Sequence, residues 1–349
     1  MLWLHPKELS VFFASLLLCA SLTGCSQTGA LKPQASTSTQ QDASTSQAQS
    51  TVTSTTQRVY TTQRQGDSSR QPHAATTTQP GNTAPQAQTP DSLPTSLSAI
   101  YRVSPSTPGP LTPLSFDELI GELANADVIL LGEKHDERRH HQAQLAILQA
   151  LHQRRQIGSV VLEMLPSSSQ QAFRQGQLNI QTQLSQSSSI SSSDIKDTLH
   201  WPEKWEWQQY APLIAWLLRN HIPMYGANLN DDELAVIAQG SQPLRGNVSI
   251  QPQVRSRIAD LVRNHHVSSD AQLDAMVTAQ QFRDRRMAET LVKNAKPAVL
   301  LAGNVHTDGT IGVPLHLQDY GQHHVASVML LRSPQEANTA SADYFLIIR

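Results

Sequence analysis

The sequence predicts an α/β fold: a mainly parallel sheet flanked by helices on both faces, in a single globular domain behind a disordered tether. Three observations predict it. Short, fully apolar runs alternate with longer helical patterns after Leu111. Fully apolar strands separated by helices are typical of parallel sheets that are covered on both faces. About 240 residues follow Pro110, enough for one large α/β domain, and the residues before it are too polar to build a core.

The N-terminal segment, residues 1–24, is predicted to be a signal peptide. Lys7 precedes an apolar run over residues 11–20, which is too short to span a bilayer. The small residues before Cys25 resemble a bacterial lipobox, in which the cysteine is acylated, for example with palmitate. Ser26 follows, a pattern typical of outer-membrane sorting. We therefore expect a lipoprotein of the bacterial cell envelope, anchored in the outer membrane through Cys25; an ordinary signal peptide with a chance cysteine is the alternative.

Cysteine usage limits the chemistry of the mature chain. Cys19 would leave with the signal peptide and Cys25 would carry lipid, and the sequence has no other cysteine. The sequence therefore excludes a disulfide, a thiolate metal ligand and a cysteine nucleophile in the mature domain. It also excludes covalent c-type haem attachment, which needs C-x-x-C-H.

Residues 26–110 are predicted to form a disordered linker. The segment is rich in Ser, Thr, Gln, Ala and Pro, as in "STSTQQDASTSQAQSTVTSTTQ". With so few large apolar side chains it cannot bury enough surface to offset the entropy of ordering. The whole chain carries a formal net charge of -2, which argues against nucleic acid or another polyanion as a partner.

Residues 111–349 carry the strands and helices of the predicted domain. The strands are "DVILLG", "SVVLEM", "IPMYGAN", "PAVLLAGN", "HVASVML" and "DYFLIIR". The helices are "RRHHQAQLAILQALHQRRQ", "EKWEWQQYAPLIAWLLRNH", "VRSRIADLVRNHH" and "DAQLDAMVTAQQFRDRRMAETLVKNA". The first has Leu145, Leu148 and Leu151 at i, i+3 spacing, and Asp270 is the predicted N-cap of the last. The Ser-rich stretch "SQSSSISSSD" is predicted to be a surface loop.

Polar side chains follow three of these strands directly. In open α/β sheets ligands bind outside the carboxyl ends of the strands, so we expect these side chains to converge at one edge. The set is Glu133, His135, Asp136, Glu163, Asn304 and His306. Two copies of G-x-x-H, "GEKH" and "GNVH", each follow an apolar strand, and a glycine there lets the backbone turn tightly and approach a ligand.

Each of these residues also has a structural interpretation. Asp136 would cap the helix that follows, and Glu163 would bond backbone donors or pair with an arginine. Either histidine alone would be structural, whereas the matched pair His135 and His306 favours function. The doublets His140–His141, His265–His266 and His323–His324 are predicted to be solvated and receive no role.

The segment "HWPEKWEWQQY", residues 200–210, holds three tryptophans within seven residues. Core packing is the default interpretation. Alternatively the tryptophans line the cleft at the strand ends as an apolar wall for a flat ligand, with Tyr210 placed where a phenolate reaches a metal.

These residues together resemble the ChaN family of lipoproteins, which is linked to haem binding and iron uptake. The motifs are "VILLGEKHDERRHH", "VVLEML", "WEWQQYAPLIAWLLRNHIPMYGAN", "AQQFRDRRMAETL" and "LAGNVHTDGTIGVPLHL", and the likeness covers nearly all of residues 111–331. The family is similar to a wider group that includes Tiki/TraB proteins and erythromycin esterases, which carry similar paired G-x-x-H motifs. The resemblance implies that Glu133, His135, Glu163 and His306 form the shared polar site.

The resemblance favours a haem-binding protein. Without cysteine, an axial ligand to haem iron must be histidine, methionine or tyrosine, and the resemblance points to tyrosine, with Tyr210 first. The expected haem-binding residues are Tyr210, on the iron, with His135, His306, Glu133, Asp136 and Asn304 around it. Two haems stacked between protomers would explain an open site, and whether the chain forms such a homodimer stays open.

A hydrolase is the alternative function, and the sequence leaves enzymatic activity undecided. Two histidines and a carboxylate from separate strands could hold a divalent metal with open positions. A metal-free version would use His135 or His306 to activate water, oriented by Glu133 or Glu163. The sequence lacks G-x-S-x-G, H-E-x-x-H and P-loop motifs, so serine hydrolase, zincin and NTPase interpretations lose support. A tethered interaction domain with a vestigial site is the third possibility.

Overall fold

The structure, a computed structural model, describes residues 97–104, 110–187, 189–263, 267 and 269–349. Within these residues the strands are Leu97–Val103 (β1), Leu111–Pro113 (β2), Val128–Glu133 (β3), Ser159–Pro166 (β4), Met224–Asn228 (β5), Ala298–Gly303 (β6), Val325–Leu331 (β7) and Tyr344–Ile348 (β8). The α-helices are Phe116–Leu123 (α1), Arg138–Arg154 (α2), Gln170–Gln186 (α3), Ser192–Thr198 (α4), Trp207–Arg219 (α5), Asp231–Ala238 (α6), Pro252–Arg263 (α7), Asp270–Lys293 (α8), Asn304–Thr307 (α9) and Val313–Asp319 (α10).

All eight strands form one sheet in the order β2-β1-β8-β7-β3-β6-β4-β5. The six strands from β8 to β5 run parallel, while β1 pairs antiparallel with both β2 and β8. Apolar side chains of α2 and α5 pack on one face of the central strands, and those of α8 and α10 pack on the other. The predicted α/β class, with a mainly parallel sheet covered on both faces, is confirmed.

The ordered domain begins earlier than the sequence predicts. Strand β1 lies within the segment assigned to the linker, and it pairs with β8 from Leu97 to Arg102. It buries Ile100 while most of its other side chains stay partly exposed, so its mixed composition resembles a linker. The predicted signal peptide, Cys25 and the linker up to residue 96 lie outside the described residues. No helix in the described part is long and apolar enough to cross a bilayer.

Helix starts differ from the predicted ones by a few residues. The N-cap of α8 is Ser269, whose hydroxyl accepts a hydrogen bond from the Gln272 amide, so Asp270 is instead the first helical residue. Helix α5 begins at Trp207 rather than at the predicted Glu203. The end of the predicted Ser-rich loop is instead the first turn of a helix. Ser191 is the N-cap of α4, and its hydroxyl accepts a hydrogen bond from the Asp194 amide.

Strand β5 is an edge of the sheet, and two glutamines from α3 occupy its free backbone groups. The Gln177 amide nitrogen donates to the Met224 carbonyl at 2.9 Å, and its oxygen accepts from the Met224 N–H at 3.0 Å. Two turns earlier in α3, the side-chain oxygen of Gln170 accepts a hydrogen bond from the Gly226 N–H at 2.8 Å. These side chains replace the neighbouring strand that an edge strand lacks.

Gln177→Ala should destabilise the domain because the N–H of the buried Met224 would lose its partner, and its carbonyl would keep only the longer bond from Gln170 at 3.3 Å. An unpaired buried group costs roughly 1–3 kcal/mol, so we expect the free energy of unfolding in urea to fall by about 2 kcal/mol. Gln175→Ala is the matched control, since Gln175 is exposed on the same helix and bonds only to Asn179. Equal losses for the two variants would contradict this role of Gln177.

Candidate functional site

Glu133, the last residue of β3, is the centre of a buried polar cluster. Its Oε1 accepts a hydrogen bond from the Tyr210 hydroxyl at 2.7 Å and contacts His135 Nδ1 at 2.9 Å. Its Oε2 forms an ion pair with His141 Nδ1 at 2.7 Å. Burial raises the pKa of Glu133, but the charge of His141 and the hydrogen bonds of both imidazoles outweigh it and lower that pKa to about 2. Glu133 is therefore a buried carboxylate that is held ionised.

A second carboxylate, Glu163 on β4, organises the other half of the cluster. The Gly303 amide donates to its Oε2 at 2.7 Å, and His306 Nε2 lies 3.2 Å from its Oε1. The other ring nitrogen of His306, Nδ1, lies 2.6 Å from Oδ1 of Asp284 on α8. Burial opposes the charge on His306, but Glu163 and Asp284 raise its pKa to about 10. Burial is also the largest effect on Asp284, and it raises that pKa to about 6.

The two halves lie on opposite faces of the sheet and meet at Gly303. Glu133 continues the row of Ile129 and Leu131, which faces α2 and α5, whereas Glu163 continues the row of Val161, which faces α8. His135 Nε2 approaches to 3.9 Å from Glu163 Oε2. A Cβ on Gly303 would lie 2.9 Å from that nitrogen.

This glycine therefore makes room for His135. Gly132 does the same for Asn304, whose side chain oxygen occupies the space that a Cβ would need. At both glycines the structure shows close approach of protein side chains, and the predicted approach of the backbone to a ligand stays a prediction.

Carboxylates lie next to two histidines of the cluster. His306 has a carboxylate at each ring nitrogen, and the Gln280 amide nitrogen also lies 3.1 Å from its Nδ1. His141 forms an ion pair with Glu133 through Nδ1, and its Nε2 lies 3.2 Å from the carbonyl oxygen of His135. Glu133 raises the pKa of His141 against the effect of burial. The carboxylates therefore favour the protonated, imidazolium form of both rings.

The prediction that the histidine doublets are solvated is wrong for His140–His141. Both side chains are buried, and His140 Nδ1 accepts from the Lys134 N–H at 3.1 Å. Burial lowers the pKa of His140 to about 3, so it is neutral. His323 is partly buried and His324 is exposed, before β7, while residues 265–266 lie outside the described residues.

Tyr210 is fully buried, with 1% of its surface exposed. Burial and the negative charge of Glu133 raise its pKa well above 10, so it is a neutral donor. Its phenolic oxygen is held by Glu133, and iron ligation would require that bond to break. Ligation by Tyr210 stays a prediction, which this arrangement of side chains opposes.

The tryptophans of residues 200–210 pack in the core, as the default interpretation has it. Trp205 also makes an edge contact with the His135 ring, with centroids 4.7 Å apart. Trp205 and Trp207 line a cavity of about 390 Å³ together with Lys196 and Glu203. Most of the residues that line this cavity are polar, and a tryptophan wall for a flat ligand stays a prediction.

Two of the predicted site residues do not join the cluster. The Asn304 amide donates to the Leu330 carbonyl at 2.8 Å. Asp136 is exposed, lies 3.8 Å from Arg332, and does not cap α2, whose N-cap position is Glu137. Sequence reasoning missed His141 and Asp284.

A signal for each missed residue was present. His141 precedes Leu145 and Leu148 by one and two turns, which places it on the buried stripe of α2. Asp284 lies in the middle of "AQQFRDRRMAETL", one of the motifs of the resemblance.

The donor set of the cluster limits what it can bind. No group of three His, Cys, Asp or Glu side chains is arranged to hold a metal ion within the part of the chain that is described. The carboxylates beside His306 and His141 favour their protonated form, and a protonated ring nitrogen has no lone pair to give to a metal. His135 Nε2 faces Gly303 and lies 3.9 Å from Glu163 Oε2, which makes it the cluster nitrogen with the most distant carboxylate partner. Glu163 and Glu133 raise the pKa of His135 against the effect of burial, so a metal at Nε2 would have to displace a proton.

Comparison with known proteins identifies relatives of the whole domain. A family model described as haem-binding uptake, Tiki superfamily, ChaN matches residues 119–317. The solved structure of ChaN from Campylobacter jejuni, described as showing cofacial haem binding, is 35% identical with a TM-score of 0.63; the match covers 72% of this chain and 97% of that chain. Among curated proteins, none matches the chain.

Weaker likenesses extend to other solved structures. The erythromycin esterase EreC in its open conformation is 14% identical, covering 67% of this chain and 79% of that chain, with a TM-score of 0.39. The type III effector HopBA1 is 13% identical, covering 66% and 91%, with a TM-score of 0.32. Neither likeness is strong enough to support an argument about function.

The raised pKa of His306 predicts how stability depends on pH. From about pH 7 to about pH 10 the folded chain keeps a proton on His306 that the unfolded chain, with an ordinary pKa near 6.5, has released. This stabilisation is complete below pH 6.5 and is lost as the pH rises through about 10. We expect the free energy of unfolding in urea to fall by about 1 kcal/mol per pH unit over this window.

Asp284→Asn tests the cause of this dependence. The variant removes one of the two carboxylates that hold the proton, so the pH-dependent loss of stability should end at a lower pH and be smaller in total. His324→Gln, at an exposed histidine, should leave the curve unchanged. Identical pH curves for Asp284→Asn and the wild type would contradict the assignment.

Proposed function

The chain belongs to the ChaN family of haem-binding uptake proteins, and from this premise we propose that its α/β domain binds haem at the carboxyl edge of the sheet. The observation that carries the proposal is the position of the buried cluster. Glu133, Glu163 and His306 all lie within the matched residues 119–317 and at the carboxyl ends of neighbouring strands. This is the edge where open α/β sheets bind ligands.

His135 is the side chain that we propose for the iron. Its Nδ1 is held by Glu133 at 2.9 Å, and a carboxylate on one ring nitrogen orients an imidazole and makes its other nitrogen a better ligand. The same ring contacts Trp205, which supports an apolar wall for a macrocycle. When bound, haem would supply an iron centre; the chain supplies His135 as ligand and Glu133 as the group that orients it.

Hemin titration of the full chain, followed by absorption spectroscopy, tests this assignment. His135→Ala should weaken hemin binding by about tenfold or more and change the iron spectrum. Tyr210→Phe removes only the phenolic oxygen and should leave the spectrum unchanged, as should His324→Ala at an exposed site. If only Tyr210→Phe lost a high-spin ferric spectrum, the axial ligand would be Tyr210, as the resemblance favours, and not His135. The molecular mass of the hemin complex would decide whether a homodimer forms around haem.

A hydrolase is the second candidate, and the His135–Glu133 pair favours it. An imidazole oriented by one carboxylate, with its other nitrogen 3.9 Å from a second carboxylate, Glu163, resembles a general base that activates a water molecule. This activity would not need haem. Turnover of an activated ester by the wild type without hemin, abolished in His135→Ala and Glu163→Gln, would support the hydrolase over the haem carrier.

We also propose that the protein is an outer-membrane lipoprotein of the bacterial cell envelope that takes part in iron uptake. The lipobox-like residues before Cys25 and the Ser26 that follows support this proposal. Cys25→Ser should remove the only acyl acceptor at the cleavage site, and the variant should lose its membrane association and its lipid mass. Mass spectrometry of the mature wild-type N-terminus is the measurement, and an unmodified terminus there would refute the anchor.

A further inference from the structure

The turn that carries His135 determines where this imidazole lies. Residues 134–137 form a turn closed by a hydrogen bond, in which the Glu137 N–H donates to the Lys134 carbonyl at 2.9 Å. His135 is the second residue of this turn, and its side chain faces inward, to Glu133. The position of the ring in the candidate site therefore depends on the position of the turn.

The other three residues of the turn pair with the segment that follows β7. Lys134 Nζ lies 2.8 Å from Glu336, whereas Glu137 lies 2.9 Å and Asp136 lies 3.8 Å from the guanidinium group of Arg332. We call these five side chains the ionic latch. Because β7 is the parallel neighbour of β3, both halves of the ionic latch lie at the carboxyl edge of the sheet.

Glu137 serves the ionic latch and not the helix that it precedes. It stands at the N-cap position of α2, where a side chain usually accepts a hydrogen bond from an amide of the first turn. The Glu137 carboxylate makes no such bond. It accepts instead from Nε of Arg332 at 2.9 Å, so a position that normally stabilises a helix here joins two loops.

The ionic latch is a small network of charges. Single ion pairs at a protein surface contribute little, whereas several charges joined together can hold a geometry. Arg332 engages two carboxylates at once. The pair of Lys134 and Glu336 is also partly shielded from solvent, with 18% and 32% of the two side chains exposed. Backbone groups of the turn bond to side chains of α2, and the ionic latch fixes the turn to the neighbouring strand as well.

We propose that Arg332 and Glu336 are positioning residues for the candidate site: through the ionic latch they hold the turn, and so keep the His135 ring against Glu133 and Trp205. The inference rests on the proposed haem-binding function, in which His135 is the ligand to iron. Salt that screens the ionic latch should loosen the turn. A ligand that needs the ring in this place then binds more weakly, in proportion to the fraction of chains that keep it there.

The double variant Arg332→Gln, Glu336→Gln removes the charges of one half of the ionic latch and leaves the turn itself unchanged. The hemin affinity of the full chain should fall about threefold at low salt, a factor typical of a few surface ion pairs. At roughly 1 M salt the screening length is about 3 Å, and the wild type and the double variant should bind hemin equally. Any effect of salt on hemin itself is common to both proteins. A difference that is the same at low and high salt would overturn the inference.

An exchange of charges between the two halves separates charge from side-chain packing. Lys134→Glu places a like charge opposite Glu336 and should weaken hemin binding, whereas Lys134→Glu combined with Glu336→Lys should recover most of the wild-type affinity. A combined variant that binds no better than Lys134→Glu would contradict the role of the pair. Lys293→Gln is the control, because it breaks an exposed pair with Glu289 in the last turns of α8, and it should change neither the affinity nor its dependence on salt.

Hydrogen exchange of the Glu137 amide, measured without hemin, tests the ionic latch independently of haem. This amide closes the turn, so it should exchange about threefold faster in the double variant than in the wild type. Equal exchange rates would overturn the inference and leave haem binding untouched. If the wild type bound no hemin, the proposed function would fail, and the exchange rates would decide by themselves whether the ionic latch holds the turn.

Discussion

The fold is organised around charge compensation in its interior. Three carboxylates and three imidazoles meet at the end of the sheet, and Glu133, Glu163 and Asp284 are almost completely buried. An ionised group without a partner in such a place costs several kcal/mol, and breaking a buried pair is far more destructive than replacing both partners together. The strands β3, β4 and β6 and the helices α2 and α8 must therefore keep their relative positions closely, because each contributes a charge or a contact that another element needs.

The strands were predictable because their apolar runs are short, bounded and separated by helical patterns. The meeting of Glu133, Glu163 and His306 was predictable as well, since the carboxyl ends of neighbouring parallel strands share an edge. Strand β1 was not predictable from composition, because an antiparallel strand near an edge buries few side chains. His141 and Asp284 reach the cluster from helices on opposite faces, and a single sequence does not say how far each helix lies from the strand ends. The protonation states depend on such distances and so emerge only from the structure.

Gly303 shows how the two faces of a sheet can act as one site. A sheet normally separates the side chains of alternate residues onto its two faces. Here His135, from one face, approaches Glu163 on the other face because Gly303, which lies between them, has no side chain. The cluster thus forms a nearly continuous series of polar contacts, from Tyr210 through Glu133, His135, Glu163 and His306 to Asp284. Addition or removal of a proton at one end of this series would change the pKa values of the groups along it. The candidate site is therefore one in which the protonation states of neighbouring groups depend on one another.

The glutamines that cover β5 bear on how this domain meets other molecules. A bare edge strand recruits further strands, either from a binding peptide or from identical chains, and growth of that kind has no natural end. Gln170 and Gln177 occupy the backbone groups that such recruitment would use. At the other end of the sheet, β2 is only three residues long and finishes at Pro113. Strand addition at the described ends of the sheet is therefore disfavoured, and crowding many copies together would not by itself seed fibrils there.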